Sequence, residues 1–123
     1  MSMNWTDSAP IYRQLKEKVI AMMLDGDLNA GDALPSVRQV AAEYQLNPIT
    51  VSRAYQELAD ENLVEKRRGL GMFVIEGARE KLLESERQRF LKEEWPLVVA
   101  RIERLGLNIE RLLKDANQKS GAN

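Results

Sequence analysis

The stretch from Leu34 to Val74, LPSVRQVAAEYQLNPITVSRAYQELADENLVEKRRGLGMFV, restricts the fold of this chain more than any other segment. It contains two short helices, each with its own start signal. Ser36 with Gln39 forms a capping box, in which each side chain satisfies the other's backbone N–H. Asn47-Pro48 is an N-cap followed by proline at the first helical position, where a missing N–H costs nothing. Leu63–Arg67 and Met72–Ile75 then read as strands, with Arg68-Gly69-Leu70-Gly71 between them as a hairpin tip. Gly69 and Gly71 permit positive φ and let backbone N–H groups approach an anion. Few physical tasks call for this order of parts. One is to lay a helix in the DNA major groove with a hairpin alongside.

The faces of these helices follow from their spacing. Val37, Val40, Ala41 and Tyr44 supply the buried side of the first, and Val51, Ala54, Tyr55 and Leu58 that of the second. Thr50, Arg53 and Glu57 fall opposite, flanked by Ile49 and Ser52. An earlier helix is expected to begin near Asp7 or Ser8, either of which can cap it, with Pro10 in its first turn. Its apolar stripe is Tyr12, Leu15, Val19 and Met22, and Gly26 closes it. Leu28 and the Gly31-Asp32 turn lead to a short extended piece, Ala33-Leu34-Pro35. The expected fold is mainly α with a small β-hairpin wing. It comprises a winged helix-turn-helix domain over residues 1–76 and a helical region over 77–123.

The composition narrows the functions open to such a fold. Hydrophobic residues make up 44% of the 123 residues, and no apolar run approaches the roughly 18 residues that span a bilayer. The first ten residues lack the basic and apolar regions of a secretory signal. The chain has no cysteine, so disulfides and thiolate metal sites are excluded, and no histidine, the commonest general base. No catalytic residues, metal or cofactor are expected, and the location is expected to be cytoplasmic, on the nucleoid when bound. The net charge is −1, and acids outnumber bases within residues 1–76. A DNA site therefore needs a local basic face. Arg38, Arg53, Lys66, Arg67 and Arg68 can form it, while Asp25, Asp27 and Asp32 sit together in a different segment.

After Gly77 the chain is rich in Glu, Arg, Leu and Lys and lacks strand signals. One helix is expected from about Ala78 towards Leu105. Pro96 lies inside it and should kink it, at the cost of the bond to the Lys92 carbonyl. Gly106-Leu107-Asn108 reads as a stop and a fresh N-cap, followed by a short helix over Ile109 to Ala116 and a frayed NQKSGAN end. A competing reading takes Val98, Ile102, Leu105, Ile109, Leu112 and Ala116 as the seam of one unbroken coiled-coil helix. The glycine and asparagine favour two helices. Either way the apolar surface is too large for such an appendage to bury alone. A homodimer is expected, through Leu91, Val98, Ile102, Leu105, Ile109 and Leu112.

The candidate DNA-binding residues are Ser36, Arg38, Asn47, Pro48, Ile49, Thr50, Arg53, Lys66, Arg67, Arg68, Gly69 and Gly71. The N-terminal N–H groups of the third helix and Thr50 can hold a phosphate or a base edge. Arg53 can reach a guanine O6/N7 pair, and the basic tip can straddle the minor groove. Each part alone has a plainer role. Capped helix pairs are common, a lone exposed arginine is usually just solvated, and Lys66-Arg67-Arg68 could merely protect a strand edge. Gly69-Leu70-Gly71 is no dinucleotide fingerprint, because a strand follows it. Trp5 and Trp95 read as packing residues. The joint order of the parts favours DNA.

The segment PIYRQLKEKVIAMMLDGDLNAGDALPSVRQVAAEYQLNPITVSRAYQELADENLVEKRRGLGMFV closely resembles the winged helix-turn-helix domain of the GntR family of bacterial transcription regulators. The most distinctive pieces are Leu34-Pro35-Ser36-Val37-Arg38, Thr50-Val51-Ser52-Arg53-Ala54-Tyr55 and the wing glycines. The short C-terminal part resembles the YtrA subfamily, whose two helices there serve dimerisation. The resemblance implies that Arg38 contacts DNA from the second helix, that Thr50 and Arg53 are contact positions of the recognition helix, and that Gly69 and Gly71 form the wing tip. Ile49 departs from the basic or polar residue of some relatives and could touch a thymine methyl. Gln45 occupies a turn position often held by glycine, at a cost of about 1 kcal/mol if left-handed. The expected function is that of a dimeric, sequence-specific regulator, a repressor on an inverted-repeat operator in double-stranded DNA. The alternatives are a sensor with a small-molecule effector between the C-terminal helices, and a winged helix that binds protein.

Overall fold

A computed structural model describes residues 5–120. They form two compact units that divide between Leu83 and Glu84. The first contains α1 (Ile11–Asp25), α2 (Val37–Tyr44), α3 (Pro48–Asp60), β1 (Val64–Arg67) and β2 (Gly71–Val74). Helix α4 (Ala78–Arg89) begins in this unit, and Ala78 and Leu82 are buried in its core. The boundary expected after residue 76 therefore falls short of two residues that this core requires.

Both expected helix starts of the central motif form. Ser36 Oγ accepts from the Gln39 N–H and Gln39 Oε1 accepts from the Ser36 N–H, each at 3.0 Å. Asn47 Oδ1 accepts from the Ile49 N–H at 2.9 Å, with Pro48 in the first helical position. The turn between α2 and α3 is tight because Gln45 is left-handed, with φ 54° and ψ 48°. The start of α1 differs from expectation. Pro10 is its N-cap and no side chain caps it. Instead the Gln14 amide reaches back, donating to the carbonyls of Thr6 and Ala9 and accepting from the Thr6 N–H. That tie holds the incoming chain and leaves Asp7 and Ser8 outside the helix.

The core joins the inner faces of three helices to the base of a hairpin. Leu15, Val19 and Met23 of α1 meet Val40 and Ala41 of α2, Val51, Ala54, Tyr55 and Leu58 of α3, and Leu63, Val64 and Val74. Met23 is fully buried, whereas Met22, the expected fourth member of the stripe, is only partly so. A fully buried side chain such as Leu58 contributes about 2 kcal/mol. Trp5 packs its ring edge-on to Tyr44, with centroids 6.3 Å apart. The hairpin is antiparallel, pairing Val64 with Val74 at its base and Arg67 with Gly71 at its tip. Ala33 bridges to Phe73 on the other edge of β2, and Leu34 N–H donates to the Met72 carbonyl at 2.8 Å.

The second unit is wholly helical among the described residues. The last turns of α4 lead into a widened five-residue π segment, Phe90–Glu94, followed by α5 (Trp95–Arg104) and α6 (Ile109–Ser120). The Trp95 N–H donates to the Phe90 carbonyl, five residues back. The wide turn lies just ahead of Pro96, whose ring would crowd the Lys92 carbonyl in a regular α-helix. Gly106 (φ 67°) ends α5, and Asn108 Oδ1 accepts from the Arg111 N–H at 3.0 Å. The unbroken coiled-coil reading is thereby excluded. The last helix is longer than expected, since Asn117–Ser120 are helical rather than frayed, and 121–123 lie outside the described residues.

Candidate nucleic-acid interface

Helix α3 meets β1 and β2 so that a groove of about 440 Å³ opens between α2, α3 and the wing. Its walls include Ser36 and Gln39 from α2's start, Ser52 and Gln56 from α3, and Lys66 and Leu70 from the hairpin. The wall is built by periodicity. Ser52 and Gln56 are one helical turn apart on α3, and Lys66 faces the groove because the neighbouring strand residues, Glu65 and Arg67, point to the opposite side of the pleat. Tyr55 anchors the groove floor, its hydroxyl donating to the Pro35 carbonyl at 2.7 Å. Burial pushes the Tyr55 phenol up to about 12, so it stays neutral.

The candidate cations divide into two classes. Among the described residues, Arg38, Lys66 and Arg68 are exposed and have no hydrogen-bond or ion-pair partner. Arg67 is engaged. It donates to Glu65 Oε1 from Nε and Nη2 at 3.4 and 3.3 Å and lies 4.3 Å over the Phe73 ring. Arg53 is engaged too, 3.8 Å above the Tyr12 ring and 3.7 Å from Glu57 Oε2. Glu57 in turn pairs with Lys16 at 3.3 Å, and Lys16 also pairs with Glu61. The bond to Glu61 raises the Lys16 ammonium above its usual value; partial burial opposes the rise, and Glu57 adds to it.

The helix start offers less to an anion than expected. Asn47 closes it: its side chain takes the Ile49 N–H and its carbonyl takes those of Thr50 and Val51, at 2.9 and 3.3 Å. Those N–H groups are therefore not free to hold a phosphate, and proline removes the one before them. Thr50 is half-buried rather than fully outward, while Pro48 is exposed and Ile49 is 75% exposed. At the wing tip Gly69 (φ 77°) and Gly71 (φ 114°) carry the positive φ that their position requires, and Leu70 N–H closes the loop onto the Arg67 carbonyl at 2.8 Å. Of the acids near the hairpin, Glu65 pairs with Arg67 on β1, whereas Asp32 sits at its base. Asp32 and Gly31 bond to Val74, at the end opposite Arg68.

Residues 11–74, just over half the chain, match the family described as bacterial regulatory proteins, gntR family. The chain belongs to the gntR family. This gntR-family transcription regulator is 36% identical over 105 residues to the helix-turn-helix-type transcriptional repressor YtrA of Bacillus subtilis, covering 85% of this chain and 80% of that one. It is 32% identical over 114 residues to the helix-turn-helix-type transcriptional regulator YhcF of the same organism, covering 93% of each. Its fold matches the crystal structure of a transcriptional regulator from Oenococcus oeni with a TM-score of 0.73, at 32% identity over 95% of this chain and 96% of that one.

Three polar residues of this gntR-family groove, Gln39, Ser52 and Gln56, were not among the expected DNA-binding residues. The sequence does carry a signal for Gln56, which stands four residues after Ser52 on the outward side of α3. For Gln39 the capping role conceals any other.

Proposed function

We propose that this gntR-family regulator binds a specific DNA duplex as a homodimer and represses transcription by occupying a promoter. The observation that carries this reading is the groove where Lys66, Gln39, Ser52 and Gln56 converge, close in the chain to the unpartnered Arg38 and Arg68. Polar side chains suited to base edges thus stand beside cations suited to phosphate. Phosphate contacts from Arg38, Lys66 and Arg68 of two protomers would give a salt slope of about −5. The outward Ile49 supplies an apolar contact fitted to a thymine methyl. Repression is the role that the YtrA relative's name carries.

The dimer reading rests on the second unit. Leu91, Val98, Leu105 and Leu112 are exposed to 62%, 43%, 60% and 38%, joined by Leu97 and Leu113. An apolar face of this extent on a small helical unit calls for a partner. Ile102 and Ile109 are half-buried at a concavity between α5 and α6, so they support the hairpin as well as any interface. A two-fold pair of such chains would read an inverted repeat, and the regulator would work in the cytoplasm, on chromosomal DNA.

The test is a selection of duplexes from a random library by the full-length chain, with sedimentation equilibrium on the same sample. A two-fold-symmetric motif and the mass of two chains are expected, with Leu105→Glu shifting the mass to one chain. Absence of any enriched motif refutes the DNA reading, and a monomer on an asymmetric motif refutes the dimer.

A further inference from the structure

Arg53 is held in a way that Arg38, Lys66 and Arg68 are not. A guanidinium has a face and edges, and here they are separately assigned. The face covers the Tyr12 ring of α1 at 3.8 Å, and Nε points to Glu57 at 3.7 Å. Glu57 is itself fixed from its other oxygen by Lys16, which Glu61 holds in turn. The edge formed by the two Nη atoms has no partner among the described residues, and the Arg53 side chain remains 61% exposed. That edge is the one that pairs side by side with two acceptors.

We propose that Tyr12 and Glu57 are positioning residues that present the Nη edge of Arg53 to a guanine, so that α1 contributes to sequence discrimination without touching DNA. This rests on the DNA-binding reading above. The physical argument has two parts. A free arginine loses much rotamer freedom on binding, and the Tyr12 platform removes that freedom beforehand. Glu57 also offsets the charge, because Arg53 and Lys16 face Glu57 and Glu61 as a neutral set of four. General attraction of Arg53 to phosphate is thereby weakened, and what remains depends on the directional two-acceptor contact. The plainer account, in which the cluster only staples α1 to α3, makes a different prediction for paired substitutions.

The experiment compares the full-length chain on a duplex selected from the random library and on a shuffled duplex of the same composition. Tyr12→Leu should weaken binding to the selected duplex about two- to fivefold, with little change on the shuffled one, and Tyr12→Phe should restore it. In an Arg53→Ala background Tyr12→Leu should cause no further loss. Glu57→Gln should strengthen binding to the shuffled duplex and narrow the ratio between the two. A Tyr12→Leu loss of equal size in both backgrounds overturns the proposal and leaves the staple. If Tyr12→Leu does not fold, the ratio for Glu57→Gln decides alone, and an unaltered ratio overturns the proposal. A parent chain with no preference between the duplexes overturns the DNA reading itself, which separates the two failures.

Discussion

Replacing Gln45 by glycine should stabilise the first unit. Gln45 sits at φ 54° and ψ 48° in the turn that sets α3 against α2, and its side chain is exposed. A Cβ in that region costs about 1–2 kcal/mol. Glycine removes the cost but gives the unfolded chain about 0.4–1 kcal/mol of extra freedom. The net gain is about 0.5–1 kcal/mol, or about 3–6 °C in Tm for a unit of this size. Thermal denaturation followed by far-UV circular dichroism measures it, with two controls. Gln45→Ala keeps the Cβ and should melt within about 0.5 kcal/mol of the parent. Asn62→Gly, at φ 60°, should gain less, because asparagine tolerates this conformation better. A glycine variant that melts at or below the parent refutes the strain argument. An alanine variant that gains as much as glycine assigns the effect to the side chain instead.

Other outcomes are open to measurement. Ser36→Ala removes one half of the capping box and should cost about 1 kcal/mol in denaturant titration, with the fold retained. Arg68→Ala should weaken all duplexes alike and lower the salt slope by about one for each phosphate no longer neutralised, read from binding at several salt concentrations. Stability should fall as pH rises from about 10 towards 12: the unfolded Tyr55 phenol ionises near 10 while the folded one holds its proton to about 12, a loss of up to about 3 kcal/mol. Lys16, raised in the fold, acts in the same direction at the upper end of that window. Tyr55→Phe should flatten the alkaline decline in stability, and phenolate absorbance should show one of the three tyrosines ionising only with unfolding.

The helix starts at Ser36 and Asn47 were legible because capping is local chemistry, complete within three residues. The hairpin was legible for the same reason, with two strand-like runs around glycines. What escaped was fixed by interactions at a distance. The Gln14 amide reaches back to Thr6 and Ala9, which moves the start of α1 to Pro10. Arg53 stands on the outward side of α3 as its spacing implies, yet its guanidinium is tied to Tyr12 on another helix. The bonding at α3's start also escaped, since Asn47 takes the Ile49 N–H through its side chain and those of Thr50 and Val51 through its carbonyl. The choice between one and two C-terminal helices turned on Gly106 and Asn108, which outweighed a seven-residue pattern of apolar positions.

The π segment at Phe90–Glu94 acts as an extra residue spliced into a helix. Each residue of an α-helix advances the azimuth by about 100°, so everything beyond the wide turn is out of phase with the turns before it. Deleting a single residue there would swing Val98 and Leu105 by about a quarter of a circle, and would set the Pro96 ring against the carbonyl four residues before it. The direction in which this chain shows its leucines is therefore set by one surplus amino acid as well as by which residues are apolar.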